Sequence, residues 1–223
     1  MFIEINDNMK EIVTIDGSYG EGGGQILRTS IAMAALTKKA TRIINIRKKR
    51  PKPGLKAQHV KAIELVARLC NAKVIGNRIG SEEVIFQPGE ISARKLEARI
   101  ETAGSIALAL QGVMIALLSS REPCEIVIRG GAVAGKWAPS VNYLRYVLLP
   151  LLAKFGYRAS VEIKRYGYYP KGGAHVVFKY EPSELKEIKL TERGKLKRII
   201  CTIHASKLLS GKNVVERMKK IVV

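Results

Sequence analysis

One order of elements is written twice along this chain, and that repetition limits its folds more than any single motif. The first copy opens on "EIVTID" (11–16), which alternates like a strand, and passes through a glycine-rich turn into a helical run from Gln25 to Leu36. A strand follows over 41–47, then a basic loop over 48–54, a helix from Leu55 to Cys70, and two short strands at 72–76 and 82–87. The pattern then begins again. "RIETAGSIALALQGVMIALL" reads as a strand end, a small-residue turn and a helix rich in Ala and Leu. "CEIVIRGG" is a strand, "PSVNYLRYVLLPLLAKFG" a helix with Pro139 near its first turn, and "RASVEIKR" and "AHVVFKY" the closing strands. Two β-α-β-α-β-β units, about 10–98 and 99–180, predict a layered α/β (α+β) fold. After "EPSEL" the character changes: 185–204 read as two strands about an "ERGK" turn, and "GKNVVERMKKIVV" as the start of an amphipathic helix. This end looks like a domain begun and not finished, over 181–223.

The first turn, "GSYGEGGGQILRT" (17–29), has five glycines in its first eight positions. Only glycine takes positive φ cheaply, and a strand-to-helix junction offers free N–H groups at the positive end of a helix dipole. Such a turn either cradles a phosphate or is merely tight. Gln25 and Arg28, three residues apart, share one side of the first helical turn, where an Arg suits a phosphate clamp or a solvated surface. Glu21 would repel phosphate unless a divalent ion lay between them, as Mg²⁺ does when held by one carboxylate and substrate phosphates. Its other reading is a carboxylate serving the helix dipole.

A second cluster, "IRKKRPKPGLKAQH" (46–59), gathers Arg47, Lys48, Lys49, Arg50, Lys52 and Lys56 around two prolines that stiffen the loop. It is either a solvated face or an anion-binding display. "GGAVAGKW" (130–137) satisfies G-x-x-x-x-G-K, but Trp137 occupies the position where a Ser or Thr must ligate Mg²⁺, and Pro139 follows at once. That argues against a nucleoside-triphosphatase loop. His59, His175 and His204 are scattered without metal-ligand spacing.

With 39 Lys and Arg against 19 Asp and Glu, the formal net charge is +20, which favours a polyanionic partner such as RNA or DNA. Three cysteines, odd in number and far apart, suggest a reducing compartment with neither disulfides nor a zinc site. No apolar run approaches a membrane span, and "MFIEINDNMKEI" lacks a signal-peptide layout, so a cytoplasmic protein without a membrane partner is the expectation.

Taken together, these blocks resemble the RNA 3′-terminal phosphate cyclases. "DGSYGEGGGQILR" is similar to that family's N-terminal signature almost letter for letter, "IRKKRPKPGLKAQH" to its second block, "GSIALALQG" to its third and "YGYYPKGGA" to its glycine-rich signature. "LTERG" stands where the family enters its small inserted domain, and the resemblance runs in order from residue 11 to about 200. It implies a body of three β-α-β-α-β-β repeats with a small α/β domain inserted between the second and third. It also implies ATP- and Mg²⁺- or Mn²⁺-dependent conversion of an RNA 3′-phosphate end to a 2′,3′-cyclic phosphodiester. In that chemistry a histidine attacks the α-phosphorus of ATP, AMP passes to the RNA phosphate, and the neighbouring 2′-OH displaces AMP. By the same resemblance, Glu21 matches the carboxylate near the metal and phosphates. Arg28, Arg47, Arg50 and Gln58 match phosphate- and RNA-end-binding side chains, with Gln25 beside them. Gln111 matches a residue that contacts ATP, and Pro139 is placed with it in the nucleotide pocket.

The chain also departs from the family pattern. The usual Gly-Gly-Thr-Asp is Gly130-Gly131-Ala132-Val133, with one residue added before Trp137. The three-glycine run is Gly172-Gly173-Ala174, and Tyr166 replaces an Arg or His. The family's nucleophilic histidine belongs to a third repeat, and His59, His175 and His204 do not match it. The expectation is therefore either a portion of such an enzyme, inactive alone, or a non-catalytic RNA-binding relative of the kind that works in ribosomal RNA processing. Incubated with α-labelled ATP and Mg²⁺ or Mn²⁺, this chain should carry no label through denaturing electrophoresis. A labelled band lost on changing any of the three histidines would overturn the resemblance-based assignment.

Overall fold

The computed structural model describes residues 12–222. It is α/β, with two four-stranded mixed sheets, and its contacts divide the chain into a unit up to Leu185 and a second from Lys186.

The first unit holds the same series of elements twice. β1 (Val13–Asp16), α1 (Gly24–Thr37), β2 (Thr41–Ile44), α2 (Ala57–Leu69), β3 (Lys73–Ile75) and β4 (Val84–Gln87) build one sheet in the order β1-β2-β4-β3. β5 (Lys95–Ser105), α3 (Ile106–Ala116), β6 (Cys124–Ala132), a helix beginning at Val141, β7 (Arg158–Arg165) and β8 (His175–Glu181) build the other, in the order β5-β6-β8-β7. In each, the first two strands are joined through a helix and pair in parallel, and the last two pair antiparallel.

Alternation places Ile43, Val84 and Phe86 of the first sheet, and Ile126, Ile128, Val176, Phe178 and Tyr180 of the second, in one continuous core. Between them lies α3, buried almost all round through Ile106, Ala107, Leu110, Val113, Met114 and Ala116, as its Ala- and Leu-rich composition requires. The buried Tyr157 hydroxyl donates to the Met114 carbonyl at 2.9 Å, tying α3 to the start of β7. Loss of hydration raises that phenol's pKa, so it remains a neutral donor.

Several local expectations change. The strand expected over 41–47 ends at Ile44, because Asn45 and Arg47 turn into the left-handed region, with φ of 52° and 57°. The small-residue turn after Arg99 is instead the continuation of β5, its register shifting between Ile100 and Ser105. The helix expected from Pro139 starts after the Ser140 cap as α4 (Val141–Tyr143), passes through a π turn (Leu144–Leu148) and continues as α5 (Leu149–Lys154). Pro150, which lacks an N–H, sits at the junction where the regular ladder is interrupted. In the second unit the strands expected over 185–204 are absent among the described residues, which hold a 3₁₀ segment (Lys207–Lys212) and α6 (Val214–Val222). A lone hairpin without a third strand or a packed face is marginal.

Gly130 shows how tightly β5 and β6 meet. Its φ is +83°, and a Cβ there would lie 2.0 Å from the Ile100 carbonyl oxygen, whereas a Cβ on Gly135 would meet nothing within 4 Å. Gly130→Ala should therefore destabilise the protein by about 2 kcal/mol or more, and Gly135→Ala by well under about 1 kcal/mol, in urea unfolding. Equal effects would mean that this approach of backbones is not required.

Candidate functional site

The glycine turn runs from the end of β1 to the start of α1, with Gly20 and Gly22 at φ of 58° and 59°. The Asp16 carboxylate accepts from the Ser18 N–H at 2.9 Å and from Asn45 Nδ2 at 3.2 Å, anchoring the turn to the end of β2. These donors hold the Asp16 carboxyl below its usual pKa. Helix α1 begins after Gly23 with no side-chain cap and no acidic residue in its first turn, so its leading N–H groups have neither a capping oxygen nor a local carboxylate.

Around that helix start the structure gathers several of the expected residues. Arg50 donates to the exposed Glu21 carboxylate at 3.0 Å, and Lys49 to the Gly20 carbonyl at 3.3 Å, so the basic loop lies against the glycine turn. Arg28 donates to Gln25 Oε1 at 2.7 Å, and Gln25 to Thr29 Oγ1 at 2.7 Å. The Arg28 Nε is buried without a hydrogen-bond partner, an unmet donor beside the helix start.

Arg47 stands apart from its neighbours. It is 7% exposed and donates to the carbonyls of Lys52 and Gly54, at 2.5 and 2.9 Å. Its guanidinium holds the 48–54 loop closed from within, while Arg50 faces outward to Glu21.

The residue that sequence reasoning passed over is His59, which had looked scattered. It is 3% exposed and sits against the first residue of α1: a Cβ on Gly24 would fall 2.3 Å from His59 Nε2 and 3.2 Å from Arg28 Nη1. Its Nδ1 accepts from the Lys56 N–H at 3.1 Å, closing the N-terminus of α2 and leaving the neutral ring's proton on Nε2. Burial, then Arg47, Arg28 and Lys56, push its pKa down to about 4. The one available signal was its place directly after Gln58, at the end of the block that carries the basic loop, since nothing in its spacing marked it.

The remaining expected residues lie on separate elements: Gln111 on α3, Pro139 just before the Ser140 cap and Gln58 on α2. Gln111 and Pro139 both line an apolar cavity of about 430 Å³, with Ala107, Met114, Leu144 and Tyr157, and the Gln111 Oε1 is buried without a partner. Gly112, next to Gln111, faces both α2 and α1: a Cβ there would stand in ordinary contact, 3.4 Å from Val66 Cγ2 and 3.8 Å from the Arg28 carbonyl oxygen. Gln58 lines a different cavity of about 630 Å³ with Ser105, Lys136 and Trp137. The G-x-x-x-x-G-K stretch does not form a phosphate loop: Gly130 lies within β6, Gly135 and Ala138 bridge a turn, and the helix starts only at Val141. Among the described residues no group of three or more His, Cys, Asp or Glu is placed to hold a metal ion, so Glu21 would supply a single ligand.

The neutral burial of His59 gives stability a definite pH dependence. The unfolded chain binds this proton near the ordinary histidine value of 6.5, the folded chain only near 4, so stability is full above pH 6.5 and falls as the pH drops towards 4. The loss should be on the order of 3 kcal/mol at most. His59→Asn, which keeps an acceptor for the Lys56 N–H, should flatten this part of the pH profile in urea unfolding. An unchanged profile would assign the pH dependence to other groups.

The sequence profile of the RNA 3′-terminal phosphate cyclase family matches residues 19–221. The chain is 51% identical over 189 residues to the RNA 3′-terminal phosphate cyclase of Methanococcoides burtonii, covering 84% of this chain and 57% of that protein. The corresponding protein of Hyperthermus butylicus is 44% identical over 211 residues, covering 94% and 58% respectively. That of Pyrococcus abyssi is 44% identical over 210 residues, covering 94% and 60%. The chain thus spans about three-fifths of the length of these relatives. On this evidence the chain belongs to the RNA 3′-terminal phosphate cyclase family.

Proposed function

We propose that this chain is the part of an ATP-dependent RNA 3′-terminal phosphate cyclase that binds the RNA end and the nucleotide. The reaction would convert a 3′-phosphate to a 2′,3′-cyclic phosphodiester in RNA processing or repair. The observation that carries this reading is the uncapped start of α1, flanked by Arg28 with its unmet Nε donor and by the Arg50–Glu21 pair. Free N–H groups, the helix dipole and guanidinium forks all favour a dianionic phosphate at that place.

The residues present fit the two groups the chemistry needs. A purine base is flat, largely apolar and carries an amino donor; the apolar cavity offers matching walls and the unpartnered Gln111 Oε1 as acceptor, with Pro139 at its edge. Mg²⁺ or Mn²⁺ would be held by Glu21 together with substrate phosphates, and would neutralise charge developing on them. For that, Glu21 must exchange its exposed pair with Arg50, a contact worth little in water. Arg50 is then released toward phosphate. ATP, when bound, would supply the AMP moiety that activates the RNA 3′-phosphate towards the neighbouring 2′-OH, whose attack would close the cyclic diester with AMP as the leaving group. Arg28 and Arg50 orient the terminal phosphate in this scheme, Gln25 and Gln58 bind alongside, and Arg47 keeps the loop in place.

Fluorescence-anisotropy titration of short RNAs ending in 3′-phosphate or 3′-hydroxyl tests the reading. The 3′-phosphate end should bind more tightly, and Arg28→Ala or Arg50→Ala should remove about 1–3 kcal/mol of that preference. Lys48→Ala and Lys49→Ala should weaken both ends equally. Arg47→Ala should instead lower folding stability, by about 2–3 kcal/mol, through its two lost carbonyl contacts. Equal losses at all five positions would reduce the loop to a general basic patch. If the end is bound but the complete protein leaves it uncyclised with ATP and Mg²⁺ or Mn²⁺, the non-catalytic RNA-binding alternative would stand.

A further inference from the structure

The outward face of the second sheet carries a feature that the terminal-phosphate site does not use. Its strands are in register so that Arg99 on β5 stands beside Arg129 on β6, Arg129 beside His175 on β8, and His175 beside Arg165 on β7. One row across all four strands is therefore three arginines and a histidine, with no carboxylate among them. Directly opposed like charges on a sheet are destabilising.

Other positions on the two outer faces show how such charges are ordinarily balanced. On the same sheet, Lys95 and Lys179 flank Glu125, at 3.7 and 3.5 Å. On the first sheet, Arg42 is held by Glu83 through two contacts, of 2.7 and 3.2 Å. The arginine row is different. Arg99, Arg129 and Arg165 are all exposed, and together with Lys171 and Glu101 they line a cavity of about 320 Å³. Arg165 is steadied by its Nε donating to the Gly173 carbonyl at 2.8 Å, which leaves its two terminal nitrogens for another partner. Gly130, next to Arg129 on β6, also lines the hollow.

We propose that this row binds the phosphodiester backbone of the RNA strand, upstream of the 3′ end held at α1. The proposal rests on the reading of the chain as an RNA-end-binding protein. Strands lie about 4.8 Å apart, so the row extends about 14 Å, longer than one phosphate group and suited to successive phosphates of a strand. Guanidinium groups match phosphate through paired N–H donors, and a strand laid across them removes the repulsion that the bare row carries. The formal net charge of +20 attracts the same polyanion at longer range. Base identity is not read by such contacts, so binding here should depend on strand length and salt and not on sequence.

The test compares two RNAs with the same 3′-phosphate end, a trinucleotide and a 15-mer, titrated by anisotropy across a salt series. The pair Arg99→Ala/Arg129→Ala and the single Arg165→Ala are the variants. For the 15-mer, the double variant should weaken binding at least tenfold and flatten the log–log salt slope by about 1.4, at about 0.7 per lost phosphate contact. Trinucleotide binding should be unchanged, and the thermal midpoint of the double variant unchanged or raised, because repulsion in the row is relieved. If the 15-mer binds the variants as it binds the original protein, the row is overturned alone and its partner is something other than RNA. If the variants weaken both RNAs equally, the row is only part of the general field and the proposal fails. If neither RNA binds the original protein, the end-binding reading and this one fall together.

Discussion

Everything proposed for the amino-terminal site depends on one close approach. The first residue of α1 must be glycine, because the ring of His59 occupies the space that a Cβ would need. That contact brings the start of α2 under the start of α1 and sets Arg28 beside the helix terminus. It requires a neutral imidazole, since a charged ring would be buried between Arg28 and Arg47. His59 also closes the N-terminus of α2 through Lys56, so one side chain fixes two helix starts. Loosening it would move Arg28 and the start of α1 together, because both are packed against this ring.

The two repeats use one architecture for different tasks. In the first, the turn after β1 is opened by glycines and the turn after β2 is filled with cations, so the end of the sheet concentrates positive charge. In the second, the strand after the corresponding position runs on into α3, and small residues with an apolar helix make cavities instead. α3 then joins the two, its Gly112 against α1 and its Gln111 on the cavity wall. A base-sized apolar hollow and a cationic helix start thus share one central helix.

Within the basic loop, residues of the same charge do different work. Arg47 is turned inward onto two carbonyls, Arg50 outward onto Glu21, and Lys49 onto the glycine turn. A burial difference, not a charge difference, separates them. Arg47 has lost most of its water, which lowers its pKa, and carbonyl dipoles compensate. A substitution at Arg47 therefore acts on the loop's shape before it acts on any ligand.

Local patterns in the sequence were enough for the order of elements, the α/β class and the junction of strand, glycine turn and helix. Period-two and period-3.6 hydrophobicity reports which face of an element is buried, and glycine reports where the backbone must turn. The family was legible too, because its blocks are contiguous runs of letters. What those patterns could not carry was which residues meet across the chain. His59 reached Gly24, Arg50 reached Glu21, and the row from Arg99 to Arg165 formed only when four strands were laid in register. The helix near Pro139 and the strands over 185–204 differed from expectation for the same reason: a missing N–H and a missing sheet partner are settled by neighbours in space. Sequence determined what each segment would become, since that is decided within a few residues. Tertiary structure decided which charges are spent holding the fold and which remain for a ligand, since that depends on burial and on partners brought together from distant parts of the chain.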